Sequence, residues 1–384
     1  MKHKLIRITT VPISLEKLLG NQLSFMNNYY EVIAVSSDEM NLKKVGLTQG
    51  ISTYTVEMTR KITPLHDLKA VWKLFLFLRK SKPLIVHTHT PKAGIVGMIA
   101  AKLAGVPHRL HTVAGLPLLE AVGKTRKLLD FVEKLTYSCA TQIYPNSHGL
   151  YDIILNNKYT TPSKLKVLGN GSSNGIDTSH FDPNLFSEDQ KNELRIRLGI
   201  KDEDFVFIFV GRLVADKGLT ELVNAFDAIS KENNQIKLLL VGPLESDLDP
   251  LPSKTEDVIL NNDSIISVGY QNDVRPYFSI ANVLTFPSYR EGFPNVVMQA
   301  GSMGLPCIVT DINGCNEIIS DGKNGLIIPV KNTEKLETAM RQTLDDLNFR
   351  NKLQSNSRKT ILADYEQKII WNALLNEYKN FENQ

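Results

Sequence analysis

The stretch Ile280-Ala-Asn-Val-Leu-Thr-Phe-Pro-Ser-Tyr-Arg-Glu-Gly-Phe-Pro-Asn-Val-Val-Met-Gln-Ala-Gly-Ser-Met-Gly304 decides the fold. Ile280 to Phe286 is almost wholly apolar, the pattern of a strand buried on both faces. Val296, Val297, Met298 and Ala300 then follow a helical spacing that stops at Gly304-Leu305-Pro306. Between the two, Glu291 sits on the turn, and Gly292-Phe293-Pro294-Asn295 exposes backbone amides where the helix begins. Helix N-termini carry unpaired N–H groups and about half a positive charge, so such a turn suits a phosphate. Pro294 and Asn295 fit the first helical positions and the cap. The same pattern also serves as an ordinary structural unit of an α/β sheet, so the rest of the chain must decide.

Working outward, the alternation repeats. In the second half, strands are predicted at Phe205–Val210, Ile236–Val241, Ile265–Val268, Val283–Phe286, Cys307–Thr310 and Gly325–Ile328, with helices between them. In the first half they are predicted at Leu5–Thr10, Tyr30–Val35, Ile51–Val56, Leu84–Thr88, Arg109–Val113, Ala140–Tyr144 and Leu165–Leu168. Strand–helix alternation means α/β: two doubly wound, Rossmann-like parallel sheets facing across a cleft. Ligands then sit at the carboxyl ends of the strands. On the first sheet that rim holds Thr10-Val11-Pro12, His87 to Thr90, His111 to Leu116, and Asn146-Ser147. The turn-rich Asn170 to Asp177, followed by Phe181-Asp-Pro183, reads as the interdomain hinge. The expected organisation is an N-terminal domain over 1–172, a linker over 173–200, a C-terminal domain over 201–360, and C-terminal helices over 361–384 packing back toward the first domain.

Composition is that of an ordinary globular protein. No apolar run reaches the roughly 18 residues of a membrane span. The N-terminus, Met1-Lys-His-Lys-Leu-Ile-Arg, reads as a first strand and not as a signal peptide. Cys139, Cys307 and Cys315 have no metal-ligand spacing, which points to free thiols in a reducing cytoplasm. Charge is divided unevenly: residues 1–180 hold 23 Lys and Arg against 11 Asp and Glu, while the whole chain is only +3. The basic residues are dispersed and no nucleic-acid motif accompanies them, so an anionic membrane surface or a lipid diphosphate is the expected partner, not nucleic acid.

Phe209-Val-Gly-Arg-Leu-Val-Ala-Asp-Lys-Gly-Leu219 is the second chemical signal. A buried strand ends at Gly211, where the backbone can approach a ligand. Arg212 brings a bidentate fork and Lys217 a movable point charge, and a helix opens at Gly218; two cations beside a helix start suit a diphosphate. The chain has no P-loop and no Gly-x-Gly-x-x-Gly after its first strand, which argues against a nicotinamide enzyme. Gly242 and Gly269 end neighbouring strands and permit close approach of a nucleotide. For Glu317, in Asn313-Gly-Cys-Asn-Glu-Ile, a carboxylate favoured by the helix dipole is the simpler reading.

Arg212…Lys217-Gly, Glu291-Gly-Phe-Pro-Asn with a polar residue eight after the Glu, Gly304-Leu-Pro306, Asn324-Gly-Leu326, Asn174-Gly-Ile-Asp177 and His87-Thr-His-Thr-Pro-Lys-Ala-Gly94 together resemble the retaining nucleotide-sugar glycosyltransferases of family 4, with the GT-B fold. The likeness covers nearly the whole chain and looks most like the branch that extends undecaprenyl-diphosphate-linked oligosaccharides. The resemblance implies transfer of a hexose or N-acetylhexosamine from a nucleotide sugar, UDP-linked, to a polyprenyl-diphosphate-linked glycan in capsule, O-antigen or glycoprotein glycan assembly. It implies that Arg212 and Lys217 stabilise the leaving diphosphate. Glu291 would hold sugar hydroxyls, the amides of Gly292, Phe293 and Asn295 beside Pro294 would cradle sugar and phosphate, Gln299 would grip the ribose, and main chain near Val268 would read the base. Thr10, Val11, Pro12, Thr88, Thr90 and Gly115 would face the acceptor. Neither a metal nor another cofactor is implied. Two positions depart from the family pattern. Gln299 stands where most relatives carry Glu, and Ala114 stands where many carry His, so that His89 or His111 would take over the sugar contact. The alternatives are a GT-B sugar-nucleotide epimerase, or a sugar-nucleotide-binding subunit with impaired catalysis. The apolar loop Gly115–Gly123 and the basic helix after it would lie on the membrane, making the protein peripheral to the inner face of the cytoplasmic membrane.

Overall fold

The computed structural model describes residues 2–59, 63–116, 118, 121–245 and 249–383. The chain divides into two compact units, Met1–Gly175 with Lys368–Gln384, and Ile176–Gln367. In the first, β1 (Lys4–Ile8), β2 (Glu31–Ser36), β3 (Ser52–Thr55), β4 (Ile85–Thr88), β5 (His108–Val113) and β6 (Gln142–Pro145) form one sheet in the order β3-β2-β1-β4-β5-β6. All its pairings are parallel. The early helices α1 (Pro12–Leu18), α2 (Gln22–Asn27) and α3 (Glu39–Gln49) share one core with the final helix α16 (Gln367–Glu382). Helices α4 (Pro64–Ser81), α5 (Pro91–Leu103), α6 (Gly123–Cys139) and α7 (His148–Asn156) share another. This is the doubly wound arrangement that the strand–helix alternation predicts.

The second unit repeats it. Strands β7 (Phe205–Val210), β8 (Ile236–Val241), β9 (Ile265–Ser267), β10 (Val283–Phe286), β11 (Cys307–Thr310) and β12 (Gly325–Ile328) pair in parallel in the order β12-β11-β10-β7-β8-β9. Central β7 is Phe-Val-Phe-Ile-Phe-Val, with Phe207, Ile208 and Phe209 wholly buried, as a strand covered on both faces requires. The helices that cover it include α9 (Leu219–Ser230), α12 (Asn295–Ser302), α14 (Thr333–Asp345) and α15 (Leu347–Asp364).

Three details differ from the sequence expectation. Leu165–Leu168 is no strand: a single bridge joins Leu165 to Ile143 on edge strand β6, and the chain then turns, with Gly171 N–H donating to Leu168. The stretch 173–200 is not all connecting chain. It contains α8 (Glu188–Arg197), started by a capping box between Ser187 and Gln190, and Leu194 and Ile200 pack into the core of the second unit. The C-terminal helices divide: α15 belongs to the second unit, and α16 from Lys368 onward to the first.

Candidate active site

Each sheet reverses its winding at one place, between β1 and β4 in the first unit and between β7 and β10 in the second. At such a switch point the connections leave in opposite directions and open a crevice at the carboxyl ends of the strands. Lys217 follows β7 and Glu291 follows β10, 74 positions apart in the chain. They meet there, Lys217 Nζ donating to Glu291 Oε1 at 2.5 Å. Both side chains are mostly buried, 15% and 19% exposed. Ser288 Oγ donates to the same carboxylate oxygen at 3.1 Å, and the Lys217 ammonium lies 5.9 Å from the centre of the Phe286 ring. Arg212, on the loop after Gly211, is more exposed and pairs with Glu245 at 2.9 Å.

Glycines make the close approaches that hold this crevice together. Gly218 starts α9 at φ 71°, and a Cβ there would lie 2.1 Å from the Pro287 carbonyl oxygen. The β7–α9 turn therefore presses directly on the end of β10, which brings Lys217 to Glu291. A Cβ on Gly242 would lie 1.8 Å from the Gly211 carbonyl oxygen, so two of the predicted donor-side glycines touch each other. Gly211 N–H donates to Val241 and Gly242 N–H to Gly269, carrying the ladder beyond the strands.

The Gly292–Asn295 step is backed by a residue that sequence reasoning passed over. Gly314, at φ 73°, would place a Cβ 2.7 Å from both Gly292 O and Phe293 Cα. The Asn313-Gly-Cys stretch drew attention only for Glu317, yet its glycine seats the turn. Cys315, fully buried next to it, has its thiol pushed well up by burial and by the Glu291 carboxylate. Pro294 occupies the N-cap of α12 and Asn295 its first position, and no side chain caps the helix. The amides of Asn295 and Val296 therefore head the helix where no preceding carbonyl of that helix can reach them. Phe293 is buried, with its ring 5.5 Å from Tyr365. Gln299 lies one turn further along α12, half-buried. Val268 is engaged internally at both main-chain groups: its N–H donates to Leu240 and its carbonyl accepts from Gln271 Nε2. Ser288 and Asp216 were also missed. The Asp216 carbonyl accepts from Tyr289 N–H and its carboxylate from Arg290, tying the loops after β7 and β10 at a second place.

On the first unit, the structure draws the expected rim residues together. Thr10 and Thr90 share a hydroxyl hydrogen bond of 2.7 Å, and Thr10 N–H donates to Thr90. Val11 precedes α1, with Pro12 as its first residue, and Thr90 precedes α5. Thr88 bonds His111 Nδ1 at 2.7 Å, while Gly115 lies beyond β5. Beneath them is a cluster that the sequence did not announce. Arg7, on central β1 and wholly buried, donates through Nε to His89 Nε2 at 2.9 Å and through a terminal nitrogen to Gln22 at 2.6 Å. His87 bridges Tyr378 of α16 and Thr112. Burial depresses all three histidines, His111 to about 4 and the other two well below their ordinary value, so each is a neutral imidazole at neutral pH. Because His89 Nε2 accepts from Arg7, the His89 proton is on Nδ1, which is buried without a partner among the described residues. The signal available in the sequence was an arginine inside an apolar central strand.

The apolar loop expected to lie on a membrane is only partly described, since Pro117, Leu119 and Glu120 lie outside the described residues. Leu116 and Leu118 are buried in the core of the first unit, which corrects the expectation that these two leucines face a surface. No described helix is long and apolar enough to cross a membrane.

Family models match both halves: a glycosyl transferase 4-like domain over residues 30–171 and glycosyl transferases group 1 over 190–360. A capsular polysaccharide biosynthesis glycosyltransferase, CapM of Staphylococcus aureus, is 31% identical over 382 residues, covering 99% of this chain and 97% of the relative. The UDP-Gal:alpha-D-GlcNAc-diphosphoundecaprenol alpha-1,3-galactosyltransferase of Escherichia coli is 32% identical, covering 80% of this chain and 78% of that one. Among solved structures, Anabaena HepE in complex with UDP and glucose superposes with a TM-score of 0.82 at 17% identity, over 98% of this chain and all of that one. The crevice with its lysine–glutamate pair thus lies in the half of the chain matched by the group 1 model, and the chain belongs to the group 1, family 4-like glycosyltransferases with the GT-B fold.

Proposed function

We propose that this glycosyltransferase moves a hexose or N-acetylhexosamine from a UDP-linked donor to a polyprenyl-diphosphate-linked glycan, with retention at the anomeric carbon. The observation that carries the reading is the meeting of Lys217 and Glu291 at the switch point of the second sheet, beside the uncapped start of α12. The relatives named for diphosphoundecaprenol-linked acceptors and capsular polysaccharide support the acceptor class.

In this reading the donor diphosphate enters at Lys217 and Arg212, and the head of α12 adds oriented N–H groups. Glu291, released from Lys217, accepts from hydroxyls of the sugar, with Ser288 still holding the carboxylate in place. Gln299 contacts the ribose. Val268 keeps its own main-chain bonds, so the base meets the Gly269–Gln271 turn that follows it. The acceptor hydroxyl oxygen bonds to the anomeric carbon on the face from which the diphosphate departs. The carbon–oxygen bond to the diphosphate breaks and the hydroxyl proton passes to the departing phosphate oxygen. The nucleoside diphosphate leaves with charge that Arg212 and Lys217 balance, so the step calls for no metal and no protein nucleophile. The rim at Val11 and Thr90, half-buried where Thr10 and Thr88 are buried behind it, serves the acceptor, and the basic first unit meets an anionic membrane in which that acceptor is anchored.

A panel of UDP- and GDP-sugars incubated with and without a polyprenyl-diphosphate-linked acceptor tests this. Product formed only with acceptor, its new linkage having the donor's anomeric configuration by NMR, supports the reading. Interconversion of donor without acceptor would instead make the protein an epimerase.

A further inference from the structure

Helix α4 is apolar on two opposite faces. One face buries Ala70, Val71, Leu74 and Leu78 in the core of the first unit. The other carries Leu65, Leu68, Trp72 and Leu76, spaced by three or four residues, and these are 83%, 67%, 61% and 51% exposed. A surface helix ordinarily keeps its outer face polar. Four large apolar side chains in a row on that face form the kind of patch that marks a contact surface. A second exposed apolar pair lies two helices away, on α6. Helix α5 packs against α4 on one side and α6 on the other, and α6 exposes Phe131 and Leu128 on its own outer face.

The free charges that α4 and α6 themselves place around the patch are cationic, and the neighbouring carboxylate near Lys73, Glu39 of α3, is paired with Lys43. Lys69, Lys73 and Lys80 are exposed beside the α4 stripe, and Lys124, Lys127 and Lys134 are exposed on α6. The carboxylates of the two helices are taken up elsewhere. Asp67 pairs with Lys92 of α5, Asp130 accepts from Arg126 and Tyr159, and Glu133 is buried. A second copy of the same face would oppose lysine to lysine. An anionic lipid surface complements it: lysine stems lie along apolar neighbours with their heads at the phosphates, and Trp72 fits the boundary between headgroups and chains.

We propose that the outer face of α4, together with that of α6, is the surface by which this protein docks onto an anionic lipid bilayer, with Leu65, Leu68, Trp72 and Leu76 entering the headgroup boundary. The proposal deepens the proposed function and rests on it for the purpose of docking, which is to meet a membrane-anchored acceptor.

Trp72 is its own reporter, because the chain has two tryptophans and the other, Trp371, is buried. The full-length protein, mixed with vesicles of phosphatidylcholine containing phosphatidylglycerol, is expected to co-sediment and to shift its emission to the blue. With phosphatidylcholine alone, binding should be at least tenfold weaker. The double variant Leu68→Glu, Leu76→Glu should lose vesicle binding at least tenfold with its circular dichroism unchanged. It should also keep its rate on a water-soluble short-chain acceptor and lose rate on the long-chain acceptor in vesicles. Failure of the wild type to bind anionic vesicles would overturn the proposal, and so would equal binding by the double variant. Dimerisation in solution that covers Trp72 would assign the face to a second copy and overturn it too. If vesicle binding follows Leu68 and Leu76 but no acceptor of either length is glycosylated, the acceptor reading fails while the docking surface stands.

Discussion

Lys217 and Arg212 hold different positions although both are cations of one loop. Lys217 is mostly buried against Glu291, whereas Arg212 reaches into solvent toward Glu245. Removing either should spare the fold, because Glu291 keeps its bond from Ser288 and Glu245 is partly solvated. Lys217→Ala and Arg212→Ala should each lower transfer by about 100-fold or more, the usual scale for losing a group aimed at developing charge, with thermal unfolding nearly unchanged. Initial rates measured beside melting curves check this, and near-wild-type turnover in either variant would sink the diphosphate assignment. Gln299→Glu exchanges an amide, which donates and accepts, for a carboxylate that only accepts. At a half-buried site one turn into α12, the expected change in donor KM is less than about tenfold. A loss as deep as that of Lys217→Ala would show that the amide itself is required.

Among elements, the β7–α9 turn matters most, because its packing against the end of β10 creates the Lys217–Glu291 contact. Gly218 has a left-handed backbone and no room for a Cβ, with a main-chain carbonyl 2.1 Å from where one would sit. Gly322 provides the control: it is equally left-handed, at φ 68°, with nothing within 4 Å of its would-be Cβ. Gly322→Ala should cost only the conformational strain, about 1 kcal/mol. Gly218→Ala adds a clash with backbone and should cost about 2 kcal/mol or more, while weakening donor binding. Urea unfolding of the two variants compares them directly, and equal costs would refute the account of the turn.

At the scale of the whole molecule, the two units respond differently to acid. His87, His89 and His111 are buried and neutral in the first unit. In the unfolded chain each takes a proton near pH 6.5, while His111 in the folded unit resists until about 4. Between those values the unfolded state binds more protons, so stability is full above about pH 6.5 and falls as pH drops toward 4. His111 alone should remove about 2 kcal/mol by pH 5. Calorimetry from pH 7 to pH 5 should show the first unit's transition moving down more than the second's, and His111→Gln should flatten that dependence. A transition that keeps its position across this range would contradict the burial of neutral imidazoles.

The strand–helix alternation was legible in sequence because a parallel strand covered on both faces must be apolar along its length, as Phe205–Val210 is. Arg212, Lys217, Glu291 and the Gly292–Asn295 turn were legible because cations, a carboxylate and free amides at strand ends have few structural uses in that combination. Tertiary structure alone decided that Lys217 meets Glu291, since their contact depends on the strand order β10-β7 and on the approach of Gly218 to Pro287. It decided that Gly314 backs the Gly292–Asn295 turn, that Arg7 and three histidines lie buried beneath the first rim, and that Leu116 and Leu118 point inward. It also decided that α4 is apolar on its outer face, because periodicity reports how many faces are apolar but not which of them another element covers. Local pattern follows from the chemistry of neighbouring residues, whereas pairing across 74 positions follows only from how the sheet is wound.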